Sequence, residues 1–127
     1  KEDILCDLID LRTIMPIDWD LIFSSVQKTG RLIVLDTGVE TGSIAGEIIS
    51  RICMERYDSL KQPPKRLALP DFPAPTSLTL TREFYKRAED IIDAVSKMMT
   101  RNLCGKKLID RGDIPHDVPD KSFKGPF

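Results

Sequence analysis

Long apolar runs are absent from this sequence, and the longest uninterrupted one is the four-residue stretch Leu32–Leu35. A membrane-spanning helix needs about 20 consecutive apolar residues, so we predict no membrane partner. An excess of charge of either sign is also lacking, because 19 basic and 20 acidic side chains leave a net charge of −1. Such a chain has no extended electric field to attract polyanions, which predicts no nucleic-acid partner.

Residue types that often carry catalysis or bind metals are scarce. The only histidine, His116, lies in a proline-containing stretch with no second ligand at metal spacing, so we predict no metal site and no catalytic residue. Cys6, Cys53 and Cys104 are odd in number and far apart, unlike a disulfide framework. We expect free thiols, buried or half-buried, in a reducing compartment such as the cytoplasm or the mitochondrial matrix.

A length of 127 residues, 41% of them hydrophobic, fits one packed domain. Short aliphatic runs alternate with segments in which apolar residues recur every three or four positions. This alternation is typical of an α/β domain with parallel strands joined by right-handed crossovers. The elements that we predict are strands at Ile4–Leu11, Arg31–Asp36 and Lys65–Leu69, and helices at 19–29, 44–60 and 84–99.

The first two predicted strands are apolar enough to be covered on both faces, which implies more strands than these three. We therefore expect the chain to be a fragment that lacks strands preceding Lys1. Residues 1–104 would form the domain. Residues 105–127 have almost no apolar period, so we expect a C-terminal extension that becomes ordered only by docking on another subunit.

The most plausible ligand contact is the polar loop 36–43, which follows a predicted strand and leads into a helix. Free N–H groups at a helix start favour an anion, although the glycine spacing matches neither a dinucleotide fingerprint nor a phosphate loop. The alternative is a structural turn, with Asp36 as a turn or cap acceptor and not a general base, and with Thr41 and Ser43 as helix caps. The candidate anion or partner contacts in this loop are Asp36, Thr37, Gly38, Thr41, Gly42 and Ser43.

Arg12 is a further candidate, because it follows the first predicted strand near the same sheet edge. Its guanidinium would suit a bidentate clamp on a carboxylate. The alternative is an ion pair with Asp10, with Asp18 or with a partner chain.

Several segments resemble the transketolase C-terminal domain family, and within it the beta subunits of thiamine-diphosphate-dependent 2-oxo acid dehydrogenases. The resemblance covers roughly residues 5–100. It rests on Ile9–Asp18 (IDLRTIMPID), Lys28–Asp36 (KTGRLIVLD), Thr41–Ser43 with Gly46–Ile48, Leu69–Pro75 (LPDFPAP) and Ala88–Ile92 (AEDII). The motif at 12–18 is shared with transketolases and deoxyxylulose phosphate synthases, whereas the segment at 71–75 favours the dehydrogenases.

The resemblance implies a three-layer α/β/α domain with a five-strand mixed sheet, of which this chain carries the last three strands. It also implies a parent enzyme that decarboxylates a 2-oxo acid and passes the acyl group to lipoamide. Thiamine diphosphate and magnesium would be held by other domains, and no cofactor is expected in this chain. The domain would organise an oligomer, and its partners would be other domains of the beta subunit, the alpha subunit and the acyltransferase core.

The sequence departs from that family at several positions. Thr37 stands where an acidic residue is common, and Val39 stands where an aromatic residue is common. Lys86 stands where proline is frequent, which predicts that the last helix begins earlier. The residues alone therefore also allow a small-anion-binding α/β module, or the C-terminal domain of a transketolase-like enzyme.

Overall fold

The structure, a computed structural model, describes residues 3–105. These residues contain four α-helices, two strands and one short 3-10 helix. Along the chain they are α1 (Trp19–Thr29), β1 (Ile33–Val39), α2 (Ile44–Glu55), the 3-10 helix Tyr57–Ser59, β2 (Lys65–Leu69), α3 (Leu78–Phe84) and α4 (Ala88–Met98). None of the helices in this part of the chain is both long enough and apolar enough to cross a membrane.

Helix α1 begins and ends where the sequence predicts. The Asp18 carboxylate accepts a hydrogen bond from the Leu21 N–H at 3.1 Å, which satisfies one of the free donors of the first turn. Gly30 ends the helix with a φ of +70°, and its N–H donates to the Val26 carbonyl. A Cβ atom at Gly30 would lie 2.7 Å from the side chain of Lys61, so this close approach also favours glycine.

Strands β1 and β2 pair in parallel, with Val34 opposite Arg66 and Leu35 opposite Leu67. The prediction for Lys65–Leu69 is confirmed residue for residue. Strand β1 begins two residues later than predicted and continues to Val39, so the first half of loop 36–43 belongs to the strand.

The buried core joins the helices to this sheet. One cluster lies between α1 and α2 and consists of Ile22, Phe23, Val26 and Ile52. A second joins β1 to α2 and consists of Val34, Ala45 and Ile48.

Helices lie on both faces of β2. Val34 packs with α2, and because successive strand residues point to opposite faces, Leu35 and its partner Leu67 face away from α2. Leu67 is nevertheless buried, and α4 contacts β2. This arrangement confirms the predicted α/β class with helical layers around a parallel sheet.

The predicted strand over Ile4–Leu11 is wrong. Residues 3–18 have no strand pairing, and Leu5 and Leu8 are 97% and 94% exposed. Ile9 and Leu11 still pack against the core. A strand needs a neighbouring strand to satisfy its backbone, and no other segment among residues 3–105 lies alongside to provide one.

The predicted helix over 84–99 is interrupted near its start, because Phe84 ends α3 and the last helix, α4, begins only at Ala88. The chain is extended at Tyr85 and Arg87, and α4 starts at Ala88 with the Arg87 N–H donating to the Asp90 carboxylate at 2.7 Å. The expectation that Lys86 allows an earlier start of the last helix is therefore wrong. The helix predicted over 44–60 is also shorter, because it ends at Glu55 and a 3-10 turn follows.

The cysteines are free, as predicted, and the predicted burial is confirmed for Cys53 but wrong for Cys6 and Cys104. Cys6 and Cys104 are exposed, and Cys53 is half-buried. Cys6 is exposed because the N-terminal stretch to which it belongs pairs with no strand within residues 3–105 and is not buried in a sheet as predicted. The C-terminal extension, with His116, lies outside the described residues apart from Gly105.

Candidate functional site

The predicted ligand loop lies where β1 ends and α2 begins, and Asp36 organises it. One carboxylate oxygen of Asp36 accepts the Gly38 N–H at 2.8 Å, and the other accepts the Ala45 N–H at 3.2 Å. The second of these donors belongs to the first turn of α2. A negative charge of the protein itself therefore occupies the helix start, where a bound anion would otherwise find free donors.

Thr41 and Ser43 do not act as the predicted side-chain caps of α2. Ser43 is at the N-cap position, but its side chain makes no capping hydrogen bond, and its buried Oγ has no hydrogen-bond partner. Thr41 instead donates to Asp71, which follows β2: its N–H lies 2.8 Å from Oδ1, and its hydroxyl donates to Oδ2. The helix cap comes from Asp36, nine residues before Ala45, which confirms the prediction of Asp36 as a turn or cap acceptor.

Asp71 is a functional candidate that the sequence analysis missed. The hydrogen bonds from the Thr41 hydroxyl and N–H, in that order, lower the pKa of the Asp71 carboxyl. The contact joins the loop after β1 to the segment after β2. Two adjacent parallel strands place the residues that follow them at the same sheet edge, and that topology was the available signal.

The remaining loop residues are exposed. Thr37 and Gly38 lie on β1, and Gly42 has a φ of +77° with open space where a Cβ would stand. A residue with a side chain would be strained at that φ, so Gly42 serves the turn. Gly38 and Gly42 have no functional side chain, and Thr37 offers a neutral hydroxyl.

Arg66 borders the same region from β2, and its Nη2 forms a 3.2 Å ion pair with the Glu40 carboxylate. Its Nη1 lies 3.4 Å from the place where a Cβ of Gly46 would stand, so the guanidinium lies over the first turns of α2. A groove beside it is lined by β2, by α2 and by Glu40, which follows β1, and includes Lys65, Ile49 and Ser50.

Arg12 pairs with Asp10 across 2.9 Å, and the two side chains are 88% and 72% exposed. The structure thus places Arg12 in one of the ion pairs considered for it. Among residues 3–105, no hydrogen bond or ion pair joins Arg12 to loop 36–43. The same residues contain no group of three or more His, Cys, Asp or Glu side chains that could hold a metal ion.

The N-terminal segment, defined as residues 3–17, contains the large apolar side chains with the highest exposed fractions in the described part of the chain. Leu5, Leu8 and Met15 are 97%, 94% and 88% exposed. Strand β1 adds Leu35 and Val39, which are 53% and 46% exposed, and only one of its edges is paired within residues 3–105. Exposed apolar residues together with an unpaired strand edge are features of surfaces that bind other polypeptides.

The chain is similar in sequence to several known proteins. It is 37% identical over 98 residues to the pyruvate dehydrogenase E1 component subunit beta of Rickettsia bellii, covering 77% of this chain and 30% of that protein. It is 34% identical over 99 residues to the acetoin:2,6-dichlorophenolindophenol oxidoreductase subunit beta of Cupriavidus necator, covering 78% and 29%.

A third relative is the mitochondrial pyruvate dehydrogenase E1 component subunit beta-1 of Oryza sativa subsp. japonica, 34% identical over 101 residues, covering 80% of this chain and 27% of that protein. The chain therefore spans about a third or less of the length of these relatives. The family model of the transketolase C-terminal domain matches residues 1–91. The chain belongs to the transketolase C-terminal domain family.

Proposed function

We propose that this chain is the non-catalytic C-terminal assembly domain of a thiamine-diphosphate-dependent 2-oxo acid dehydrogenase beta subunit. The parent enzyme decarboxylates a 2-oxo acid and transfers the acyl group to lipoamide. The printed names of the relatives support the enzyme class, since two of those described above are pyruvate dehydrogenase E1 beta subunits. The family match over residues 1–91 supports the place of this chain within such a subunit.

The observation that carries the assembly role is the exposed apolar surface of the N-terminal segment. Burying one leucine side chain is worth about 1.5–3 kcal/mol, so a partner that covers both Leu5 and Leu8 gains several kcal/mol of binding free energy. The unpaired edge of β1 offers backbone donors and acceptors to the same kind of partner. The proposed partners are other domains of the beta subunit, the alpha subunit and the acyltransferase core.

We assign none of the chemistry to this chain. The acidic groups Asp36 on β1 and Asp71 after β2 are engaged with the protein itself. Asp36 caps α2, and Asp71 accepts hydrogen bonds from Thr41. Within residues 3–105 this loop therefore supplies no free carboxylate pair for a magnesium ion and no free helix start for a diphosphate. Thiamine diphosphate and magnesium would be bound by the rest of the parent enzyme.

Assembly is tested by co-expressing the chain with the alpha subunit and the remaining beta-subunit domains. Leu8→Glu places a charge on the proposed contact, and Leu80→Glu is the matched control on α3, where the leucine is 62% exposed. We expect Leu8→Glu to reduce complex formation at least tenfold in sedimentation velocity and to reduce 2-oxo acid decarboxylation in parallel. Leu80→Glu should leave both unchanged.

Two results would contradict the proposal. One is unaltered assembly of the Leu8→Glu variant. The other is tight binding of thiamine diphosphate by this chain alone in calorimetric titration. Saturable amide shifts between Gly38 and Ala45 on addition of phosphate would instead favour a small-anion-binding module.

A further inference from the structure

The residues that follow α4 fold back along it. Thr100 takes a φ of +52°, which reverses the chain, and the Arg101 N–H then donates to the Ser96 carbonyl at 2.9 Å. Further on, the Gly105 N–H donates to the Asp93 carboxylate at 2.7 Å. Because later residues contact earlier positions of the helix, Arg101–Gly105 runs antiparallel to α4. We call this segment the strap.

Ser96 fastens the first half of the strap. Its hydroxyl donates to the Arg101 carbonyl at 2.6 Å and accepts the Leu103 N–H at 2.9 Å. Ser96 is 4% exposed, so this hydroxyl is shielded from water while it makes both hydrogen bonds. A polar side chain inside a helix is satisfied here by a neighbouring segment and not by its own helix.

Gly105 determines how closely the far end of the strap approaches α4. A Cβ atom at this position would lie 2.3 Å from the Glu89 carbonyl oxygen and 2.6 Å from the Glu89 Cα. Both are backbone atoms of the helix, so no rotation of a side chain can relieve the contact. Only glycine fits the observed position.

The strap returns the chain along most of the helix. The 11 residues of α4 span roughly 16 Å at 1.5 Å per residue, and six residues after Met99 are enough to cover that length when extended. The strap ends beside Glu89, in the first turn of α4, so the chain leaves the described region close to the break between α3 and α4.

We propose that the strap is a conformational latch that fastens the carboxyl-terminal part of this chain to α4 and opens without unfolding the domain. Its apolar contribution is small, because Leu103 is its one hydrophobic residue besides Cys104, and Leu103 is only half-buried. Segments held mainly by a few hydrogen bonds open at a lower free energy than the core does. Ser96 and Gly105 specify the closed position, and opening uncovers the Glu89–Ser96 face of α4.

Hydrogen exchange measured by mass spectrometry or NMR on the full chain tests this latch. We expect the N–H groups of Leu103 and Gly105 to exchange at a rate that low urea does not change, since local opening exposes little surface. Core N–H groups, such as that of Ile52, should exchange more slowly and accelerate with urea. Strap exchange that follows the core in rate and urea dependence would overturn the proposal.

Variants separate the latch from general instability. Gly105→Ala should raise strap exchange at least tenfold and leave core exchange and the melting temperature unchanged, and Ser96→Ala should act in the same direction. Thr100→Asn is the opposite control, because asparagine tolerates a positive φ better than a β-branched residue does, so strap exchange should slow. Unchanged strap exchange in both Gly105→Ala and Ser96→Ala, or a fall in melting temperature that matches the exchange change, would overturn the latch.

Discussion

Two apolar regions of this chain differ in how far their side chains are buried. The unit from α1 to β2 buries its aliphatic side chains, so that Val26 and Ile52 are 2% and 0% exposed. The N-terminal segment is richer in leucine and isoleucine than that unit, yet Leu5 and Leu8 are almost fully exposed. The two strands of the unit are hydrogen-bonded to each other, whereas the N-terminal segment pairs with no strand within residues 3–105. Apolar composition therefore predicts the tendency to be buried, and a backbone partner decides whether burial is achieved.

The largest expected contrast between the two regions is in stability. Ile52→Ala removes a side chain buried between α1 and α2 and should lower the free energy of unfolding by about 2–5 kcal/mol in urea denaturation. Leu8→Ala in the N-terminal segment should change it by less than about 0.5 kcal/mol. Equal losses in the two variants would show that the segment is packed in solution, and would remove the contrast.

The next prediction concerns the helix cap supplied by β1. Asp36→Ala leaves the Gly38 and Ala45 N–H groups without their acceptor and should cost about 1–2 kcal/mol of unfolding free energy. Ser43→Ala is the control, because the Ser43 hydroxyl is buried and unpaired, so its removal should be neutral or slightly stabilising. A larger loss of unfolding free energy for Ser43→Ala than for Asp36→Ala would show that Ser43, which local sequence rules favour, caps α2.

A smaller effect is expected where arginine packs on an aromatic ring of the folded unit. The Arg51 guanidinium lies 4.2 Å from the Trp19 ring centroid and links α2 to α1. Arg51→Met should cost about 0.5–1 kcal/mol in thermal or urea unfolding. Arg12→Met in the N-terminal segment removes an ion pair in which both side chains are exposed, and should not measurably change the free energy of unfolding.

The weakest contact that we test is the one that holds the N-terminal segment to α1. Hydrogen bonds from Lys28 and Ser25, in that order, lower the pKa of Asp7 below its ordinary value of 3.8. The stabilisation is therefore present above that value and lost as the pH falls through the folded pKa. Lys28→Met should raise the Asp7 pKa towards 3.8 in an NMR titration of the carboxyl carbon, and should leave the lowered pKa of Asp71 unchanged.

Sequence reasoning succeeded where the signals are local. The cap at Asp18 and the left-handed glycine at position 30 set both ends of α1, and the short aliphatic run at Lys65–Leu69 set β2. It failed for the strand at Ile4–Leu11, because a strand depends on a partner that is distant in the chain. It also failed where two local signals compete, because the period of the last helix continues through Tyr85–Arg87 while the Asp90 carboxylate starts a new helix there.

The candidate site shows the same division. The position of loop 36–43 at the end of a strand was predictable, since β1 ends at Val39 and α2 begins at Ile44. The role of Asp36 as a turn or cap acceptor was also predictable, but the contact of Thr41 was not, because Thr41 reaches Asp71 thirty residues away. Cap rules search adjacent positions, so they selected Ser43, and pairing across parallel strands lies outside their range.

Placing the cap of α2 on β1 has a consequence for how this fold can change. Since the Asp36 carboxylate joins the strand and the helix directly, the relative placement of these two elements does not depend on the intervening turn. Exchanges of sequence in that turn can therefore leave the junction of β1 and α2 intact, provided that Thr41 keeps its hydrogen bonds to Asp71 and position 42 keeps its positive φ.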